Sequence, residues 1–535
     1  MELLCLSSLE KVFFDGPTSR KERLNGSTLL KEKYSIQFAF YGSENFTYTI
    51  DSLDQDELSF FYVNQIPSMT PIKEKKDNHF LKGVPGFFPD LLTPVRETGE
   101  VTGTMYQWHS IWIEIYPKDF NNQRNRIINF KLSCDGNEQV STFSLRVIPT
   151  LLPEQELRHT EWLHTDCLSD YYQVPIFSEH YWELVKNYIS FAKKHGQNMI
   201  LTPLFTPPLD TEVGNYRPVI QLVEVEIIDR TYRFDFSNLT KWANICKEVG
   251  IRYLEFSHLY SQWGADYAPH IVEKNGETIF GWHTSSISRE YKNFLSLFIP
   301  ELINWIKMSP FRNNVYFHLS DEPSNDSIER YEEISLFIKD LVQDYPIMDA
   351  LSNYSFYQKK LIDIPVVATD HITPFLENRV PHLWAYYCSA QRDNVSNRFF
   401  DMPSYRTRII GYQLFLNDID GFLHWGFNFW YTQYSKKLVN PFVETDTGGA
   451  FASGDAFLVY PGEKGPLPSI RLKNIHYGIQ DIQALEKLCE LIGREQVKKI
   501  LLNNMDEITF SDYPSEINWI LDSREQINQL ISQSI

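Results

Sequence analysis

The chain has 535 residues, 43% of them hydrophobic, and a formal net charge of −19. So acidic a surface repels nucleic acid and anionic lipid, and no apolar run reaches the ~18 residues of a membrane helix, so neither nucleic acid nor membrane is an expected partner. At ~100–200 residues per domain, this length predicts two to four domains.

Residues 1–150 read as short strands separated by turns, the pattern of an antiparallel β-sandwich. Tyr34–Tyr41 and Ile111–Tyr116 are predicted strands, and Gln139–Val147 alternates apolar with polar side chains, as a half-buried strand does. Pro149–Pro153 reads as a linker. From residue 154 to 465 strands and helices alternate, which predicts a parallel α/β fold. The predicted strands are Glu161–Leu168, Asn198–Phe205, Ile251–Ser257, Val315–Ser320, Met348–Asn353, Val366–Asp370, Leu383–Ser389 and Phe422–Phe429. Helices are predicted from Ser178 (as N-cap) to Gly196, from a Ser237 cap to Gly250, and over Ser288–Met308, Asp326–Asp344 and Ser404–Leu416. Eight such repeats over ~280 residues match a (β/α)8 barrel. Residues 466–535 are predicted helical, completing or capping it. The expected fold class is therefore multidomain, β plus α/β.

The six cysteines, Cys5, Cys134, Cys167, Cys246, Cys388 and Cys489, are scattered with no CxxC pair. They predict free thiols and no cysteine zinc site. Met1–Leu6 has no basic n-region, so a cytoplasmic location is expected if Met1 is the native start. No phosphate loop, dinucleotide fingerprint or GxSxG elbow occurs, which speaks against nucleotide-dependent and serine-hydrolase chemistry.

Active sites of such barrels lie at the C-terminal ends of the strands. The fourth predicted strand ends His318-Leu319-Ser320-Asp321-Glu322-Pro323. Two carboxylates together push their pKa values apart, so one can protonate a glycosidic oxygen while the other supports the positive anomeric centre. Successive strand side chains point to opposite faces, so a bend is required for both acids to face one sugar, and Pro323 suits it. An Asp-Glu-Pro start of a helix is the alternative. His164 and Asp166 can share a face. With no third or fourth ligand at useful spacing, no metal is expected, and Asp166 is read as an acceptor for a sugar hydroxyl. Aromatic residues make up 15% of the chain. Their faces can stack on sugar rings or simply pack a core. Near the strand ends, His258, Trp263, Tyr386, Tyr387, Trp425, Asn428 and Trp430 are candidate cleft residues.

Several stretches are similar to glycoside hydrolase family 123 and the wider group long labelled domain of unknown function 4091. They include Trp162–Leu168, Glu255–Gly264, Phe317–Pro323, Ser396–Phe399, Gly421–Gly426 and Ser453–Gly462. The resemblance implies an exo-acting, retaining β-N-acetylgalactosaminidase in which the substrate's 2-acetamido oxygen is the nucleophile. Asp321 would then orient the acetamide, and Glu322 would serve as acid and base. No cofactor is implied, the partner is a carbohydrate, and a homo-oligomer stays open. Two rival readings are a β-glycosidase on a sugar lacking the acetamide, with Asp321 acting directly, and a non-catalytic carbohydrate-binding protein.

Overall fold

The computed structural model describes residues 1–42, 45–52, 57–69, 77–102, 106–119, 125–503 and 505–535. In the N-terminal part, alternation of apolar and polar residues builds two five-stranded sheets. In Asn125–Cys134, Ile128, Phe130, Leu132 and Cys134 point inward and are buried. Phe130 stacks on Phe38 of the opposite sheet with ring centroids 4.6 Å apart. The two inner faces form one apolar core, as in a sandwich. One pairing departs from the antiparallel expectation: Asn25–Leu30 runs parallel to Asn137–Leu151. That last strand also continues to Leu151, through the start of the expected linker, because Leu151 still pairs with Leu30.

Eight parallel strands follow: β1 (Arg158–Glu161), β2 (Met199–Thr202), β3 (Tyr253–Phe256), β4 (Val315–His318), β5 (Ile347–Leu351), β6 (Ile364–Ala368), β7 (Trp384–Tyr386) and β8 (Gly421–His424). Their order in the sheet is β1-β8-β7-β6-β5-β4-β3-β2, a nearly closed barrel. Side-chain amides span the remaining seam. Asn198 Oδ1 accepts from the His159 amide at 2.9 Å and its Nδ2 donates to Leu157 O at 2.9 Å. Gln197 Oε1 accepts from the Glu161 amide at 3.3 Å.

The first predicted strand is shifted. The ladder stops at Glu161, and Thr165–Tyr172 is a helix whose Cys167 and Leu168 pack into the core. An apolar run this short fits a buried strand or a buried helix face equally well. Ser178 and Ser288 cap their helices as expected, accepting from the amides of Tyr181 and Tyr291 at 3.2 and 3.3 Å. Ser237 does not cap. It is the first helical residue, and Asp235 accepts from its amide at 2.7 Å.

Alternation along the strands sends Leu254, Phe256 and Phe317 out to the helices and Glu255 and His318 into the barrel. Glu255 is fully buried yet saturated. Trp162 Nε1 donates to it at 2.7 Å, Thr160 Oγ1 at 2.6 Å and His318 Nε2 lies at 2.6 Å. The long helix Ile470–Ile492 packs on Ile410–Leu416 and joins barrel to sandwich. Its Arg471 holds Asp90 at 2.8 and 2.9 Å, and its Lys473 holds Glu114 at 2.8 Å. Among the described residues no helix is long and apolar enough to cross a membrane, and all six cysteines are free thiols.

Candidate active site

Past the end of β4 the chain reverses at Glu322, whose φ of 48° lies in the left-handed region. A residue before proline normally stays extended, so this turn must be held by its surroundings. Three bonds from backbone amides hold it: Glu322 N donates to Ala350 O at 3.0 Å, Trp263 N to Asp321 O at 2.8 Å, and Ser320 N to the side-chain Oδ2 of Asp349 at 3.0 Å. The reversal brings both acids to the wall of one cavity of about 340 Å³ at the C-terminal mouth of the barrel.

The two carboxyls have different environments. Asp321 is buried, and its Oδ2 accepts from Gln262 Nε2 at 2.6 Å. Gln262 cannot flip, because its Oε1 accepts from the Asp210 amide at 2.7 Å. Burial, then the charges of Glu322 and Asp349, push the Asp321 carboxyl well above the ordinary carboxylate range, against the pull of Gln262. Glu322 is half-buried, and its Oε1 accepts from Tyr386 OH at 2.7 Å. Burial, reinforced by Glu322, raises the Tyr386 phenol, which keeps it a donor.

A further acid on the cavity wall, Asp455, is buried. Asp455 Oδ2 accepts from Trp425 Nε1 at 3.0 Å, and Oδ1 lies 3.3 Å from His424 Nε2. Burial pushes this carboxyl up to about 7. Asp210, also on the wall, is raised by burial to about 6. His164 is neutral: burial and then the Arg217 charge lower it to about 3. Arg217 donates to its Nδ1 at 3.1 Å, so the Nε2–H points to Trp425 O at 2.8 Å. Among the described residues no three His, Cys, Asp or Glu side chains are grouped to hold a metal ion.

Of the residues singled out from sequence, Asp321, Glu322, His164, Trp263, Tyr386 and Trp425 line the cavity. Asp166, His258, Tyr387, Asn428 and Trp430 do not. Because the chain has turned into a helix by Thr165, Asp166 leaves the strand face. Both of its oxygens are taken by Arg217, at 2.7 and 2.9 Å. His258 lies inside the barrel, stacked on His318 with centroids 4.3 Å apart and edge-on to Trp162. Tyr387 follows Tyr386 and so faces outward, against Phe422. Asn428 clamps the backbone of His164, accepting from its amide at 2.8 Å and donating to its carbonyl at 3.0 Å. Trp430 is core, packed on Tyr171 and Tyr188. Gln262 and Asp455 went unselected although they lie within the resembling stretches. Asp210 and Arg217 sit in the long β2–β3 connection, where no motif marks them.

Residues 162–488, more than half of the chain, match the family described as "Glycoside hydrolase 123, catalytic domain". The chain belongs to glycoside hydrolase family 123. A solved family 123 glycoside hydrolase from Clostridium perfringens, studied for glycolipid glycan hydrolysis, superposes with a TM-score of 0.77 at 15% identity, covering 99% of this chain and 98% of that one. That likeness extends the shared fold over sandwich, barrel and C-terminal helices together. Two further glycosidase structures align at much lower similarity. Bacteroides uniformis β-glucuronidase 3 has a TM-score of 0.30 at 12% identity, covering 85% of this chain and 51% of that one. The endo-β-1,4-mannanase of Thermotoga petrophila has 0.35 at 13%, covering 63% and 78%. No curated protein matches the sequence at a significant level. As a family 123 glycoside hydrolase the protein acts on carbohydrate, and the cavity at the barrel mouth is where its acids converge.

Proposed function

We propose that this hydrolase removes a terminal β-linked N-acetylhexosamine, N-acetylgalactosamine before others, by a retaining, substrate-assisted route. The observation that carries the reading is the adjacent acid pair turned to one cavity, with each carboxyl held by a partner of its own. Gln262 orients Asp321, and Tyr386 orients Glu322. As the glycosidic bond breaks, the acetamide carbonyl oxygen attacks C1 and the leaving oxygen takes the proton of Glu322. The Asp321 carboxylate accepts from the acetamide N–H and steadies the positive oxazolinium ion. Water then attacks C1 and gives its proton to Glu322, which restores the enzyme and retains the anomeric configuration. The substrate supplies the nucleophile, so the scheme calls on no cofactor.

A panel of 4-nitrophenyl β-glycosides tests this. Turnover confined to 2-acetamido sugars is the expected result. Turnover of plain galactoside or glucoside would leave a glycosidase but remove the assisted mechanism, and sugar binding without turnover of any member would favour a binding protein. Within the same scheme, Tyr386→Phe removes a charge-assisted bond to the acid, which is worth ~1.5–3 kcal/mol, or roughly ten- to a hundredfold. The loss should fall on kcat more than on KM, because Tyr386 bonds Glu322 itself. A variant with wild-type kcat would show that this bond does no work in the reaction.

A further inference from the structure

Strand β5 runs between two apolar layers. Met348 and Ala350 point into the barrel, and Ile347 and Leu351 point out to the helices. Asp349 shares the outward face with Ile347 and Leu351, and it is fully buried. Aspartate is almost never fully buried unless paired, because taking its charge out of water costs free energy. Here its partners are neutral. Oδ2 accepts from Tyr331 OH, on the helix Ile328–Val342, at 2.6 Å and from the Ser320 amide at 3.0 Å. Oδ1 meets no donor with hydrogen-bond geometry among the described residues. An acid kept in so unfavourable a place calls for a reason other than stability.

Its position supplies one. Ser320 directly precedes the acid pair, and the next residue of β5, Ala350, accepts from the Glu322 amide at 3.0 Å. Two successive residues of one strand thus clamp the chain on either side of Asp321. An asparagine would accept from the Ser320 amide equally well, so what aspartate adds is negative charge behind Asp321. Burial raises both carboxyls, and a charge on either opposes a charge on the other. Asp321 also faces Glu322 beside it, Glu255 from β3, and Tyr386 and Cys388 at the end of β7. The cavity wall adds Asp210, Asp455, Arg392 and the neutral His164. Asp349 itself faces His318 from β4 and Tyr331 from the helix, besides the amides of Ser320 and Ala350. Of the groups around Asp321, all but Glu255 and Asp349 line the cavity, and Glu255 is saturated inside the barrel by Trp162, Thr160 and His318. Asp349 therefore acts on Asp321 from outside the site.

We propose that Asp349 is a positioning residue of the acid pair: it fixes the turn and sets a second negative charge against Asp321, so that the working pH range is governed by a residue the substrate never touches. The inference deepens the reading above and rests on it only for the carboxylate role of Asp321. Asp349→Asn keeps the shape and an oxygen for the Ser320 amide but loses the charge. Ionisation of Asp321 is followed by 13C NMR of protein labelled at the aspartate carboxyl carbons, its signal identified by its absence in Asp321→Asn. Removing a neighbouring negative charge lets Asp321 lose its proton at lower pH, so its midpoint should move down by about one pH unit in Asp349→Asn. The acid limb of kcat/KM on 4-nitrophenyl β-N-acetylgalactosaminide should move with it. Asp349→Ala also removes the acceptor for the Ser320 amide and should lower kcat about tenfold beyond Asp349→Asn. A purely structural role would lower the thermal midpoint of both variants and leave the Asp321 midpoint unmoved, which overturns the proposal. If neither variant folds, Tyr331→Phe takes one donor from the Asp349 carboxylate, favours its neutral form and should move the Asp321 midpoint the same way by less. An unmoved midpoint there overturns the proposal too. If wild type does not cleave the glycoside, the proposed function fails separately, and the NMR midpoint, which needs no substrate, decides this inference alone.

Discussion

Glu322→Gln is expected to lower kcat on a β-N-acetylgalactosaminide by ~10²–10⁴-fold, the range of a positioned general acid and base. Glutamine keeps the shape and can still accept from Tyr386, so the thermal midpoint should stay within a degree or two of wild type. The loss should be larger for a disaccharide than for a 4-nitrophenyl glycoside, whose leaving group needs little protonation. Asp321→Asn should cost a similar factor for a different reason: an amide oxygen accepts from the acetamide N–H but brings no negative charge to the oxazolinium. Asp321 also shapes the pH profile. Asp321 is raised by burial and by neighbouring acids, so its carboxylate forms only above the ordinary carboxylate range. Activity that needs the carboxylate therefore rises with pH through that raised value, and the acid limb of kcat/KM should lie well above pH ~4. In Asp321→Asn the limb assigned to this group should vanish from the residual rate. A Glu322→Gln enzyme that keeps more than a tenth of wild-type kcat on the disaccharide would falsify the assignment of the acid.

Asp166→Asn should instead appear in stability. The variant leaves the Arg217 guanidinium buried without its carboxylate, at 2% side-chain exposure. Breaking a buried pair by removing one partner typically costs ~3–5 kcal/mol, because the remaining charge is uncompensated. The denaturant midpoint should drop accordingly. Activity should fall as well, because Arg217 also fixes the tautomer of His164 on the cavity wall. A sugar-hydroxyl acceptor would behave in the opposite way, raising KM at wild-type stability. That second outcome would return Asp166 to the binding role its sequence position suggests.

The contrast between Asp166 and Asp321 marks what can be read along a chain and what cannot. Period-two and helical alternation located the sandwich, eight strand–helix repeats and the helical end, because each element must bury one face and its pattern repeats locally. The same local logic picked the acid pair, since β4 had to end before Pro323 at the mouth of the barrel. It also required a bend, which the structure makes at Glu322 and which needs Ala350, Asp349 and Trp263 from other segments to hold it. Asp166 looked equivalent to Asp321 because a short apolar run does not say where a strand stops, and the partner that claims it, Arg217, lies 51 residues away. Gln262, Asp210 and Asp455 escaped for a related reason: their roles are defined by hydrogen bonds across β3, the β2–β3 connection and the segment after β8. Likewise Tyr387 stands one residue beyond Tyr386, which faces the cavity, and alternation about the true strand end decided its side, whereas His258, two residues beyond the end of β3, packs against His318 and Trp162. By itself, then, the sequence determined the architecture and the acid pair, both encoded in nearest-neighbour patterns. Which side chains meet at the mouth was decided by tertiary structure alone, because it depends on exact strand ends and on partners far apart in the chain.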